Sequence, residues 1–179
     1  MFTYVIDQYF DETDNPRDWD NLGLMATWHR RYTLGDNQPS TAPDEWLSDL
    51  LKEHPSAIIL PLYLYDHGGI TISTAPFSCP WDSGQVGYIY TTPERVREMG
   101  IGGEWKRLTK ARREAIKEML SAEVKTYDQY IRGDVYSFII KDEDGEIIEA
   151  GHGYYDRDEC EQEAQENLKY YQDQDRKKA

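Results

Sequence analysis

Between Ile58 and Thr92 the chain is almost uncharged, in a protein whose residues are 30% charged overall. With Ala57 before it, the stretch reads AIILPLYLYDHGGITISTAPFSCPWDSGQVGYIYTT and has only Asp66 and Asp82 as charged side chains. Burying an unpaired charge is costly, so a run this poor in charge is where a sheet core belongs. Its ends are rich in β-branched and aromatic residues, the composition of strands. Its middle, APFSCPWDSG at 75–84, is dense in Pro, Ser, Gly and aromatics and reads as a structured loop. His67-Gly68-Gly69 makes a tight turn, so 57–66 and 69–74 pair as a hairpin, and 85–92 is a further strand. Pro61 lacks an N–H for the ladder and points to an edge or a bulge.

The flanking segments add helices and more strands. Residues 2–10, FTYVIDQYF, read as a strand; 11–23 is turn-rich; LMATWHRRY, 24–32, fits a strand or a short helix. After a loop at 35–43, Thr41 can cap a helix, Pro43 suits its first turn, and Trp46, Leu47, Leu50 and Leu51 share one face. His54-Pro55 ends it. Pro93 opens a short helix closed by Gly100. The longest helix is expected over 105–132, with an apolar face of Leu108, Ala115, Met119, Leu120, Tyr127 and Ile131. Within 135–155, Asp144-Gly145 between two β-rich runs marks a hairpin. A last helix, 157–175, starts at a capping-box-like Asp156 and Glu159. Its narrow stripe is Cys160, Ala164, Leu168 and Tyr171, and Arg176, Lys177 and Lys178 suit its C-terminal end. The expected architecture is α+β: one globular domain over 1–179, with about six mostly antiparallel strands and the long and C-terminal helices packed on one face.

A chain of 179 residues can bury a real core. With 39% hydrophobic and 13% aromatic residues it is not a disordered acidic tail. No apolar run has the length of a membrane span, and the N-terminal MFTYVIDQYF lacks the basic n-region of a signal peptide. A cytoplasmic protein is expected. Cys79 and Cys160 lack CxxC spacing and read as two buried or free thiols, with a disulfide between them as the alternative. The net charge is −14, and it is uneven: −7 over 1–60, −2 over 61–92, +3 over 93–132 and −8 over 133–179. Such a surface repels nucleic acid and favours basic partners.

Several constellations carry possible chemistry. The loop SCPWDSGQVG, 78–87, places Cys79, Asp82 and two serines beside Trp81, and His67 is the nearest base in sequence. Asp66, His67, Cys79 and Asp82 would be the acid, base and nucleophile of a small enzyme. Without a GxSxG-type motif, a packed corner fits the same residues. The four histidines, His29, His54, His67 and His152, form no metal motif, and neither metal nor cofactor is expected. Asp11, Glu12, Asp14, Asp18 and Asp20 cluster around Asn15 without EF-hand spacing; Trp19 and Trp28 nearby suit a binding surface. Lys106, Lys110, Arg113 and Lys117 fall on one side of the long helix, interleaved with Glu114 and Glu118. Carboxylates concentrate on the hairpin (Asp142, Glu143, Asp144, Glu146, Glu149) and the last helix (Asp158, Glu159, Glu161, Glu163, Glu166). Carboxylates on a rigid surface can imitate the phosphate ladder of DNA; a merely solubilising surface has the same composition.

The phrases NPRDWDNLG (15–23), HRRYTLGD (29–36), PLYLYDHGGITISTAPFSCPWDSGQVG (61–87) and TYDQYIRGDVY (126–136) resemble a family of small acidic proteins of phages and mobile elements. The resemblance covers most of the chain and carries no catalytic residue with it. It implies an accessory protein acting inside a bacterial or archaeal host cell, where such proteins often inhibit defence systems. Two functions follow as expectations. The first is a non-enzymatic acidic binding protein that occupies the basic cleft of a host protein, such as a restriction or CRISPR nuclease, through 142–149, 158–166 and Trp19. The second is a small hydrolase-type enzyme with its site on 66–87.

Overall fold

The Asp144-Gly145 turn forms where the sequence places it, between strands β6 (Tyr136–Lys141) and β7 (Ile147–Tyr154), which pair antiparallel. Asp142 organises the turn: its Oδ1 accepts from the N–H groups of Asp144 and Glu146, each at 2.9 Å. Gly145 has φ +84°, a left-handed conformation that costs other L-residues about 1–2 kcal/mol.

The computed structural model describes residues 2–9, 15–101 and 109–178. The chain divides into two compact units, a terminal unit of Met1–Asn15 with Gln129–Ala179 and a central unit of Pro16–Asp128.

In the terminal unit, β1 (Thr3–Gln8) pairs antiparallel with β6, giving the order β1-β6-β7. Helix α4 (Arg157–Lys178) packs on this sheet. Asp156 caps it, its Oδ1 accepting from the N–H groups of Asp158 at 2.8 Å and Glu159 at 3.4 Å. Cys160 and Ala164 join Phe138 and Ile140 in a small core, with Leu168 and Tyr171 packed against it, so the expected stripe is the docked seam.

The central unit holds a four-stranded antiparallel sheet of β2 (Leu24–Thr27), β3 (Ile58–Asp66), β4 (Ile70–Ser73) and β5 (Ser83–Thr91), in the order β2-β5-β3-β4. The 24–32 segment therefore begins as a strand. Pro61 faces Tyr88 of β5, and β4 joins β3 only from Tyr63, so proline occupies a locally open edge. The register then shifts between Leu62 and Tyr63, a bulge beside it. A Cβ on Gly87 would collide with the carbonyl oxygen of Ala26; glycine there lets β5 close onto β2.

Among the described residues, three α-helices begin in this unit: α1 (Pro43–Glu53), α2 (Pro93–Glu98) and α3 (Lys110–Arg132), whose last turn belongs to the terminal unit. Helix α2 ends in a Schellman motif: Ile101 N–H donates to Val96 O and Gly100 N–H to Arg97 O, with Gly100 at φ +66°. The core includes Met25, Ile58, Leu62, Ile89, Ile116 and Leu120.

Several expectations need correction. The strands form two sheets, of three and four strands, rather than one of about six. Thr41 does not cap α1: the N-cap is Ala42, without a side-chain bond, and the Thr41 carbonyl accepts from Trp28 Nε1 at 2.8 Å. Leu51 is exposed. The buried face of α3 is Ile116, Leu120, Val124, Tyr127 and Asp128, while Ala115 and Met119 are exposed. Leu120 and Tyr127 are buried as expected; Ala115 and Met119 each lie one position before a buried residue and fall just outside the face. The expected start of that helix at 105, with Lys106 and Leu108, lies outside the described residues, as do Asp11, Glu12 and Asp14.

An ionic cluster centred on the buried Arg17 braces the central unit. Arg17 is 9% exposed. Its Nε and Nη2 donate to both Asp36 oxygens at 2.9 and 2.7 Å, and Nη1 lies 3.3 Å from Glu123 Oε2. Arg17 Nη2 also donates to Gly23 O at 2.7 Å, while Glu123 accepts from Leu22 N–H at 2.7 Å. Burial pulls the Arg17 pKa down, but its bonds and charge contacts with Asp36 and Glu123 outweigh that and leave it raised. Burial pushes the Glu123 carboxyl up, against the opposing N–H groups and Arg17. Asp128 Oδ1 accepts from Ile72 N–H at 2.7 Å and pins α3 to β4.

Candidate functional site

The hairpin β3–β4 and the loop before β5 bring Asp66, His67, Cys79 and Asp82 together. The Asp66 N–H donates to Asp82 O at 2.8 Å, which fastens the end of β3 to the loop. The Asp82 Oδ2 then meets two side chains: His67 Nδ1 at 3.3 Å and the Cys79 thiol at 3.6 Å. Ser83 Oγ donates to the Cys79 carbonyl at 2.5 Å, closing the loop on itself. Asp66 faces elsewhere, accepting from Tyr32 Oη at 3.2 Å and Arg31 Nη1 at 3.1 Å.

The order of these groups decides what they can do. A thiol nucleophile needs a base in hydrogen-bond reach and donors for the developing oxyanion. Here a carboxylate stands between sulfur and imidazole, and both converge on one of its oxygens. The His67 side chain is 70% exposed and Trp81 is 91% exposed, so water reaches the cluster freely. An open pocket of about 380 Å³ lies alongside, lined by Trp28, His29, Asp66, Trp81, Asp82 and Gln85 among others. Among the described residues no group of three or more His, Cys, Asp or Glu could hold a metal ion.

The acidic residues occupy both elements of the terminal unit expected to carry them. Asp142 organises the hairpin turn, and Glu143, Asp144 and Glu146 are exposed at its tip. On α4, Asp158, Glu159, Glu163 and Glu166 are exposed. Glu161 accepts from Tyr4 Oη at 3.1 Å and lies 3.5 Å from Arg157 Nη1. Tyr154 bonds Glu163, and burial followed by that bond pushes its phenol up to about 12. The bond of Tyr171 to Glu149, followed by burial, raises that phenol as well. Trp19 is exposed beside the 3-10 turn Pro16–Asp18, in the central unit.

The basic side of α3 is partly spoken for. Arg113 donates to the carbonyls of Ser56 and Ala57 at 3.3 Å, and Lys117 pairs with Glu114 at 3.0 Å. The Arg17 cluster had no legible signal in the sequence beyond the phrase NPRDWDNLG that contains it. Neither had a second cleft between α1 and α2, whose acids lie scattered in sequence. No protein-family model, no curated protein and no solved structure matches the chain.

Proposed function

We propose that the protein is a non-enzymatic binding protein that sets its acidic terminal unit against a basic cleft of another protein, as a decoy for nucleic acid. The observation that carries this reading is the distribution of charge. The terminal unit holds eighteen acids against seven bases, a net −11, while the larger central unit holds sixteen against thirteen, a net −3. A rise of 1.5 Å per residue spaces Glu159, Glu163 and Glu166 at intervals of about 6 and 4.5 Å along α4. Ile147 and Tyr170, each 59% exposed, offer apolar anchors among the carboxylates, the kind of residue that supplies affinity once charge has steered the encounter. The resemblance to small acidic proteins of phages and mobile elements makes a host defence nuclease, of the restriction or CRISPR type, the proposed target, inside the host cell.

The test is a pull-down from host lysate at low and high salt, using the wild-type chain and one with Glu143, Glu146, Glu159, Glu163 and Glu166 changed to Gln. The expected partner is a nucleic-acid enzyme retained at low salt, displaced by DNA and lost with the variant. A partner retained equally by both proteins would remove the reading.

The convergence of His67 and Cys79 on Asp82 favours a second reading, a small hydrolase-type enzyme on 66–87. It requires the carboxylate to leave the space between sulfur and imidazole when substrate binds. Cys79→Ser and His67→Ala would then abolish turnover of an activated ester without altering the melting curve.

A further inference from the structure

The central unit has a cleft of about 470 Å³ between α1, α2 and the paired strands β2 and β5. The spacing of its lining explains how it arises. On α1 and its C-cap, Trp46, Asp49, Leu50, Glu53 and His54 recur at helical intervals and form one stripe. On α2, Glu94 and Glu98 are four apart, and Tyr90 and Thr92 share one face of the chain leaving β5. Tyr90 pairs with Leu24 across the sheet, which closes the base.

The cleft is chemically lopsided. Its wall is aromatic: Trp46 meets Tyr90 edge-on, with centroids 5.3 Å apart, and stacks on Tyr88 at 5.9 Å. Its exposed margin carries four carboxylates, Asp49, Glu53, Glu94 and Glu98. The guanidinium lining it, that of Arg95, is committed to backbone: Nε donates to Leu22 O at 2.9 Å and Nη2 to Asn21 O at 2.5 Å. His54 lies 3.6 Å from Glu94 and 3.8 Å from Glu53. Lys52 and Arg97, which do not line the cleft, pair with Asp49 and Glu94 one turn away. Such exposed pairs are worth about 0–1 kcal/mol and yield readily to a competing cation.

We propose that this cleft binds an organic cation, a guanidinium or primary ammonium group, between the carboxylates of its margin and the rings of Trp46 and Tyr90. Carboxylates satisfy the N–H donors of such a group, and aromatic rings attract it through their quadrupoles. A hard metal ion would need converging oxygen ligands in place of the rings. The cation arrives either as a free polyamine or as an Arg or Lys side chain of a peptide. The cleft shares no residue with the proposed acidic terminal surface, so either proposal stands if the other fails.

The experiment titrates the full-length, isotope-labelled protein with N-acetyl-arginine amide, its neutral isostere N-acetyl-citrulline amide, and spermidine, following the Trp46 indole N–H by NMR. The expected result is a saturable shift of that resonance with a cation, none with the citrulline compound, and at least about tenfold weaker binding in E53Q/E98Q. These exposed isosteric changes leave the remaining spectrum as a check on the fold. Binding of the arginine amide but not spermidine assigns the cleft to peptides; the reverse assigns it to polyamines. No saturable shift, equal binding of the citrulline compound, or an unchanged affinity in E53Q/E98Q overturns the proposal.

Discussion

The two units solve the problem of a strongly acidic chain in opposite ways. The terminal unit puts a small apolar core of Phe138, Ile140, Cys160 and Ala164 under a surface of net −11. The central unit is nearly balanced in charge and takes Arg17 and Asp128 inside, pairing Arg17 with the partly covered carboxylates of Asp36 and Glu123 and Asp128 with backbone. Charge left on a surface costs little stability and sets long-range attraction. Charge taken inside fixes geometry but must be fully paired. On the proposed reading, the terminal unit attracts a partner from a distance and the central unit holds shape.

The largest expected effects break each unit at its own support. Arg17→Ala strands Asp36 and Glu123 and should cost the central unit about 3–5 kcal/mol. Phe138→Ala should cost the terminal unit a similar amount, about 3–5 kcal/mol, by opening its core. Hydrogen exchange distinguishes them: protection should fall first in the unit that carries the change. Loss of protection everywhere at once would show that the units share one cooperative transition.

Changing Glu143, Glu146, Glu159 and Glu166 to Gln should leave stability within about 0.5 kcal/mol per site, because these groups are exposed, while abolishing salt-sensitive binding. The same number of changes among exposed acids of the central unit should leave that binding nearly intact. Equal losses from both sets would erase the distinction between the units.

Thiol chemistry gives a smaller contrast. Burial, followed by the charge of Glu163, pushes the Cys160 thiol up, and its side chain is fully covered. Ellman's reagent should label the partly exposed Cys79 in the native protein and reach Cys160 only on unfolding. Two equally fast thiols would contradict this.

The smallest effect concerns pH. The Tyr154 phenol is raised from 10.0 to about 12 in the folded chain. Between those values the unfolded chain has lost a proton that the folded one keeps, so stability falls as pH rises. Tyr154→Phe should remove that slope from the alkaline melting curve of the terminal unit.

Much of the local structure was legible in the sequence. The Asp144-Gly145 turn, the His67-Gly68-Gly69 turn, Pro43 and Pro93 at helix starts and the Cys160 stripe are short-range signals, and they read correctly. What failed was long-range. Strand β1 pairs with β6 across more than a hundred residues, and nothing local announces that, so two sheets looked like one. On α3 the helical period places Leu120 and Tyr127 correctly on the buried face, but it adds Ala115 and Met119 and misses Ile116 and Val124, because neighbouring positions satisfy such a period about equally well. Of the candidate sites, the gathering of Asp66, His67, Cys79 and Asp82 followed from the hairpin, but the position of Asp82 between the other two groups depends on three-dimensional placement. The α1–α2 cleft was invisible for the same reason: its carboxylates come from two helices some forty residues apart in sequence.

The most direct test of the division of labour is capture from host lysate at low salt by the wild-type chain and by the chain with Glu143, Glu146, Glu159, Glu163 and Glu166 changed to Gln. The division predicts a basic nucleic-acid enzyme held by the first, released by DNA or high salt, and missing from the second. The same enzyme held equally by both, or released by neither salt nor DNA, would contradict it.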